Sequence, residues 1–405
     1  MSLPEPKPDL TPKEQQLDTL AAKEETRRRS LLLVLLLLLL VLCVVLFVSI
    51  RYFLKPGPLP DMLPKIIAQN INYPPTYKST IKGVNNPVGV AVSADAQRVY
   101  VTEGSGERLI KMFSRDGNLI QSFSPPGTTP SNRQPTYIAV HADGRVFVTD
   151  IYNDTIDVFD PSGNFIDAII GTQMTLSKFV AARNNGDVPD GTLYFYNNID
   201  KKVYWQLPGQ KMDSAEITSG PPWGPMGLHF DNSGNLLVTN VADNGQRVVI
   251  FPADAIKGSW INFNPQVKGF GIDGKGDGQL WFPNGVVEDS KGNYYVSDGN
   301  NGRISLWNSN LEYLTFFGFG SDEASFNLPR GLWMDSKDHL HVADAVGQSI
   351  RVYDVSGSKP VYLFSFGEFG ISEGMFNYPT DITVDSSGRL YIADRENNRI
   401  EIWSY

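Results

Sequence analysis

Cysteine is nearly absent from the 405 residues. The one example, Cys43, lies inside an apolar run, so no intrachain disulfide can form and cysteine usage carries no message about redox compartment. Basic residues are outnumbered, 35 Lys and Arg against 44 Asp and Glu, for a net charge of −9. Residues 1–30 hold six of each sign and residues 31–50 hold none, so the whole acidic excess lies after residue 50. That argues against nucleic acid and against docking on anionic lipid, and it leaves cationic, metal and protein partners open. Histidine is limited to four residues. No GxSxG, paired-cysteine motif or phosphate loop occurs, so the common sequence signals for those chemistries are missing.

One long hydrophobic stretch is present. Residues 31–50, LLLVLLLLLLVLCVVLFVSI, are uncharged and almost wholly apolar. Twenty helical residues at about 1.5 Å each span about 30 Å, the hydrocarbon thickness of a bilayer, so a transmembrane anchor is expected. The run exceeds a signal-peptide core and no small-residue cleavage site follows it. Residues 1–30 read as a cytoplasmic tail with a short polar helix, started by Thr11, Pro12 and Glu14. Arg27, Arg28 and Arg29 stand against the apolar run, which places the N-terminus in the cytoplasm and residues after 50 outside, in a single-pass cell-membrane protein. Residues 51–75, with six prolines after residue 54, read as a semi-rigid stalk.

From residue 76 to 405 the pattern is β throughout. In 377–403, NYPTDITVDSSGRLYIADRENNRIEIW, three β-branched and aromatic runs alternate with Asp, Ser, Gly and Asn turns, a three-stranded meander. Blocks of the same build open at Pro87, Pro135, Pro225, Pro283, Pro329 and Pro379. Strand-only repetition at such spacing is the signature of radial architecture.

The blocks VGVAVSADAQRVYVTEG (88–104), TYIAVHADGRVFVTDIYNDTIDVFD (136–160), NGVVEDSKGNYYVSDGNNGRISLWN (284–308), RGLWMDSKDHLHVADAVGQSIRVYD (330–354) and TDITVDSSGRLYIADRENNRIEIW (380–403) resemble NHL repeats. The glycine-rich connections 270–285, 317–331 and 366–380 strengthen the resemblance. It implies an all-β fold, a β-propeller of four-stranded blades with strand a innermost. Seven blades are expected, counting a degenerate unit with strands at 192–196 and 202–205, and six are the alternative. The last unit stops after its third strand, and residues 77–81 alternate, so the N-terminal strand is expected to complete the last blade and cover its edge.

Asp150, Asp298, Asp344 and Asp394 end strand b in four units, with Glu103 and Asn240 near that place in two more. Such a ring suggests a cation site, but Asp at a strand end also bonds the N–H groups of the following turn, and the structural role is preferred. Arg247, Arg303 and Arg399 read as its partners. The histidines, His141, His229, His339 and His341, fall in different registers, so a three-histidine zinc set is not expected. The loop 273–284 has Lys275 and Asn284 where a calcium loop needs acids, so it reads as a turn.

Binding is expected at the channel mouth, at positions just after each opening proline, where Thr136, Asn284 and Arg330 stand, joined by Asp381. Trp260 and Phe263, in an insertion of little strand character, are candidate partner contacts. The function that follows is a membrane-tethered binding or scaffolding propeller for a protein, peptide or glycan, with no cofactor and no metal ligands assigned. The alternative is a propeller hydrolase or lyase with a divalent cation such as calcium on the axis.

Overall fold

In the computed structural model the chain divides into two compact units, residues 1–69 and 70–405. The described residues are Leu39, Leu42, Cys43 and Leu46 and, from Pro74 to Tyr405, all except 185, 187, 218–221, 258–259 and 261–262. The four in the first unit are helical and exposed. Among the described residues no helix is long and apolar enough to cross a membrane. The expected tail, the rest of the 31–50 anchor and nearly all of the 51–75 stalk lie outside the described residues.

The second unit is a ring of six antiparallel sheets. Their innermost strands are Pro87–Val92, Pro135–Val140, Pro225–Phe230, Pro283–Glu288, Pro329–Met334 and Pro379–Val384, each in contact with the next and the last with the first. Proline lacks an N–H to donate and is tolerated at the first residue of a strand. In all six the register shifts soon after that proline, a bulge that turns the chain onto the axis. The end of the axis where these strands begin is called the upper end below; it also carries every turn from strand b to strand c.

The blade count corrects the expectation of seven. The segment expected to supply a degenerate blade does form strands, Leu193–Asn197, Lys202–Gln206 and Asp213–Glu216, paired in one sheet. No innermost strand precedes them. Its place in the chain is taken by helix α1, Leu176–Arg183, capped by the Thr175 hydroxyl. The helix packs Phe179 and Val180 on Ala168, Val203 and Trp205, outside the ring. The innermost strands of the flanking blades touch each other directly.

Closure is as expected. Thr76–Ile81 pairs antiparallel with Arg399–Ser404, Tyr77 opposite Trp403 and Ile81 opposite Ile400. The last sheet thereby gains its outer strand.

The core lies in the seams between blades. Val90, Val99 and Val101 of the first blade bury against Tyr391, Ile400 and Ile402 of the last, each full burial contributing about 1.5–3 kcal/mol. Trp260 and Phe263 correct a second expectation. They are buried against Phe147, Leu236 and Phe251 in the seam between the second and third blades. The third blade's outer strand is short, Lys268–Phe270, so the preceding loop folds back and fills the seam with its aromatics instead of offering them to a partner.

Candidate functional site

Each strand b ends at the upper rim on Glu103, Asp150, Asn240, Asp298, Asp344 or Asp394. Each of these accepts a backbone N–H from the residue one or two ahead of its blade's opening proline: Asn85 at 2.9 Å, Gln134 at 3.0 Å, Gly224 at 2.7 Å, Trp281 at 2.7 Å, Leu328 at 2.8 Å and Asn377 at 2.6 Å, respectively. Strand c adds a cation in four blades, through Lys111 on Glu103, Arg303 on Asp298, Arg351 on Asp344 and Arg399 on Asp394. Neither Lys111 nor Arg351 is among the expected partners, and Arg247 faces Asn240 without an ion pair. The second blade has no such cation, and burial holds both Asp150 and Asp157 above the ordinary carboxylate range there. These side chains fasten the loops to the strands. Among the described residues no group of three His, Cys, Asp or Glu is placed to hold a metal.

The residues expected at the mouth separate into two sets. Thr136 is buried, its hydroxyl bonded to that of Thr149 at 2.8 Å. Thr149 in turn donates to the Met226 carbonyl at 2.8 Å, so the pair brackets two blades together. Asn284 and Arg330 do meet: Arg330 Nη1 donates to Asn284 Oδ1 at 3.1 Å, and Nη2 to the Tyr378 hydroxyl at 3.0 Å. The Arg330 guanidinium lies 5.4 Å from the Tyr378 ring centre and that of Arg395 lies 5.5 Å from it, so two cations hold one aromatic. Burial works against the Arg330 charge, and the phenols of Tyr137 and Tyr378 outweigh it, raising its pKa.

The second position after the opening prolines reads Gly89, Tyr137, Gly227, Gly285, Gly331 and Asp381. Glycine recurs because neighbouring backbones touch: a Cβ on Gly227 would lie 2.0 Å from the Asn284 carbonyl oxygen. Tyr137 and Asp381 depart from that pattern, the one signal that would have found Tyr137 in the sequence. The second and fifth blades stand opposite in a ring of six, so Tyr137 and Arg330 meet across the axis. The Tyr137 hydroxyl and Arg330 Nε are both buried, and each has the other side chain as its polar neighbour. Burial pushes the Tyr137 hydroxyl pKa upward, with Arg330 opposing.

Asp381 faces downward, below this pair. It accepts from Val90 N and Ile382 N, both at 2.9 Å, and burial nevertheless raises its pKa to about 8. It lines a cavity of about 150 Å³ on the axis together with Tyr137, Ile138, His229, Leu332 and Trp333. None of the first positions after the opening prolines lines it, so it lies beneath the upper end. Three histidines have partners: His141 on Asp143, His339 on Asp335 and His341 on the Tyr405 hydroxyl. His229 has no hydrogen-bond partner among the described residues. Its ring edge meets Trp333 at 6.1 Å, and burial lowers its pKa to about 4.

Residues 376–403 match the NHL repeat family model. No curated protein matches the chain in sequence. Among solved structures, a catalytically inactive virginiamycin B lyase from Staphylococcus aureus with quinupristin is similar, at 14% identity and a TM-score of 0.50 over 81% of this chain and 98% of that one. A streptogramin B lyase is similar at 12% identity and a TM-score of 0.50, over 80% and 96%. At such identity the likeness concerns the fold alone: a propeller with at least one NHL repeat.

Proposed function

We propose that the chain is a membrane-tethered binding propeller, anchored through residues 31–50 with the propeller outside the cell, whose upper face captures a protein partner. The observation that carries this reading is where the exposed apolar side chains sit. Phe319, Phe369 and Ile371 are 70%, 67% and 79% exposed. All three stand on loops that enter the fifth and sixth blades at the upper end, the end that also carries Arg330, Arg395 and Tyr378. Large apolar side chains held in water on loops that enter neighbouring blades point to an interaction surface.

Charge narrows the partner. Two arginines stand at the centre, and exposed acids flank the apolar tips: Glu368, Glu373, Asp322 and Glu323. The complementary surface carries a carboxylate amid apolar groups, with basic residues around it. The acidic flanks disfavour anionic lipid at this face. The binding role needs no cofactor, and Asp381 and His229 alone do not make a ligand set for a cation on the axis.

The test is chemical cross-linking on intact cells that express the full chain, compared with the double variant Phe369→Ser, Ile371→Ser and with Arg330→Gln. Loss of the same cross-linked protein in both variants is expected. An unchanged partner set overturns the reading. Protease added to intact cells should digest the propeller; protection overturns the outside placement.

A further inference from the structure

Four arginines of the upper end are tied into the fold. Arg303, Arg351 and Arg399 each pair with a strand-end carboxylate, and Arg330 donates to Asn284 and Tyr378. Arg395, in the turn from strand b to strand c of the sixth blade, is not. Among the described residues its guanidinium makes no hydrogen bond. It has a 3.6 Å ion pair with the exposed Glu396 carboxylate, and the centre of the Tyr378 ring lies 5.5 Å away. An exposed ion pair of that kind adds little to stability. The fold therefore gains little from this charge.

Its place is fixed all the same. Asn86 Nδ2 donates to the Arg395 carbonyl at 3.3 Å, Glu396 N to the Asn377 carbonyl at 3.0 Å, and Asn397 Nδ2 to the Gly370 carbonyl at 2.9 Å. The last bond sets the turn against the loop on which Phe369 and Ile371 flank Gly370. Tyr378 is fixed as well, its N–H on Gln348 Oε1 at 2.6 Å and its hydroxyl on Arg330. A guanidinium with unused donors thus stands beside an aromatic ring, on a turn bonded to the loop of two exposed apolar side chains. Turn and loop also carry Glu368, Glu373 and Glu396.

We infer that Arg395 receives the terminal carboxylate of a partner protein whose chain ends in a large apolar residue, the side chain of that residue packing on Phe369 and Ile371. The guanidinium fork matches a carboxylate with two parallel N–H donors. A chain end carries its carboxylate and its side chain on the same carbon, so one residue meets both the cation and the apolar tips. An internal Asp or Glu brings a carboxylate with no apolar group attached. The three glutamates favour a tail without further negative charge. The inference rests on the upper-face reading and narrows its partner to a chain end.

The experiment is ligand-observed NMR titration of the purified full chain with acetyl-glycyl-leucyl-phenylalanine, with its C-terminal amide, and with acetyl-leucyl-glutamyl-phenylalaninamide, whose one carboxylate is internal. Saturable binding of the free acid is expected, about tenfold tighter than that of either amide, the gain of one charge-assisted pair. Arg395→Gln should bring the acid down to the level of its amide and leave the amide unchanged. Arg395→Lys, which keeps the charge and loses the fork, should fall between. Thermal midpoints near that of the parent chain establish that the variants are folded. Absence of saturable binding of the acid, equal affinity for acid and amide, or an unchanged acid in Arg395→Gln each overturns the inference; equal binding of the internal glutamate overturns the chain end as the source. Any of these results, with the cross-linked protein still lost in Phe369→Ser, Ile371→Ser, leaves the upper-face reading standing and removes this inference alone.

Discussion

At the lower end of the propeller the turns from strand a to strand b repeat one solution. Asp231, Asp289 and Asp385 each accept backbone N–H groups two and four residues ahead, at 2.8 to 3.0 Å. Gly234, Gly292 and Gly388 supply the positive φ that closes those turns. At the upper end the loops share an anchor, the strand-end carboxylate, and differ in their tips: Phe319 in one, Phe369 and Ile371 in the next, Trp281 in a third. Among the described residues the lower end also leaves apolar side chains in water, Leu119 and Val361 at the starts of outer strands and Tyr405, whose hydroxyl is bonded to His341, but none on its turns from strand a to strand b. One end is thus built by repetition of a structural device. The other uses the device as a base and varies what stands on it, as expected where recognition is carried by loops on a rigid scaffold.

The comparison is broken most severely by removing an anchor. Arg399 pairs with Asp394 at 2.7 Å and Glu401 at 2.8 Å, and donates to the Ile371 and Ser372 carbonyls at 3.0 and 2.7 Å. Arg399→Ala leaves two buried carboxylates without their cation and frees the loop that carries Phe369. A loss of about 3 kcal/mol is expected in denaturant unfolding, with new proteolytic cleavage within residues 368–376. Unchanged stability would mean that these pairs do not fasten the upper loops.

The lower end is tested by Asp289→Ala. The substitution removes acceptors for Lys291 N, Asn293 N, Asn293 Nδ2 and the Tyr295 hydroxyl. The expected loss is about 2 kcal/mol, with partner capture at the other face unaffected. Impaired capture in a variant that remains folded would place recognition at the wrong end.

Much of this architecture was legible in the chain, because it rests on local chemistry. The opening prolines, the alternating strands and the Asp-to-Gly turns report themselves within ten residues, and closure by the strand near residue 77 follows from an edge that needs covering. The blade count did not report itself. Strands near 193–197 and 202–206 look like b and c of a blade, and only the helix before them, where an innermost strand would stand, takes them out of the ring. The burial of Trp260 and Phe263 escapes the local pattern for a related reason: whether an aromatic in an irregular loop is exposed depends on a seam formed with residues about a hundred positions away. The Arg330 and Asn284 contact crosses 46 residues, and the Arg330 approach to Tyr137 crosses the ring; both depend on blade geometry that no local pattern contains.

The axis between the two ends can be read through pH. Burial raises Asp381 to about 8, against about 3.9 for an exposed aspartate. Between those values the native state keeps a proton that the unfolded chain has released. This group therefore makes stability fall as pH rises through that window, by up to about 1.4 kcal/mol per pH unit. Asp381→Asn removes the titration, so its stability profile from about pH 5 to 8 should fall less steeply than that of the parent chain. Equal slopes in urea unfolding across that range would show that Asp381 is ionised in the folded protein.

The smallest effect is expected where the upper end departs furthest from the lower. Phe319 is 70% exposed, and its one ring neighbour is Phe316, with centroids 6.3 Å apart. A side chain kept for folding would be buried; this one leaves most of its apolar surface in water, so its replacement removes little from the native state. Phe319→Ser should change unfolding free energy by no more than about 0.5 kcal/mol, while weakening capture of a partner that covers the tip. A loss of stability comparable to that of Asp289→Ala would show that the tip packs onto the propeller, and the two ends would then differ in sequence without differing in role.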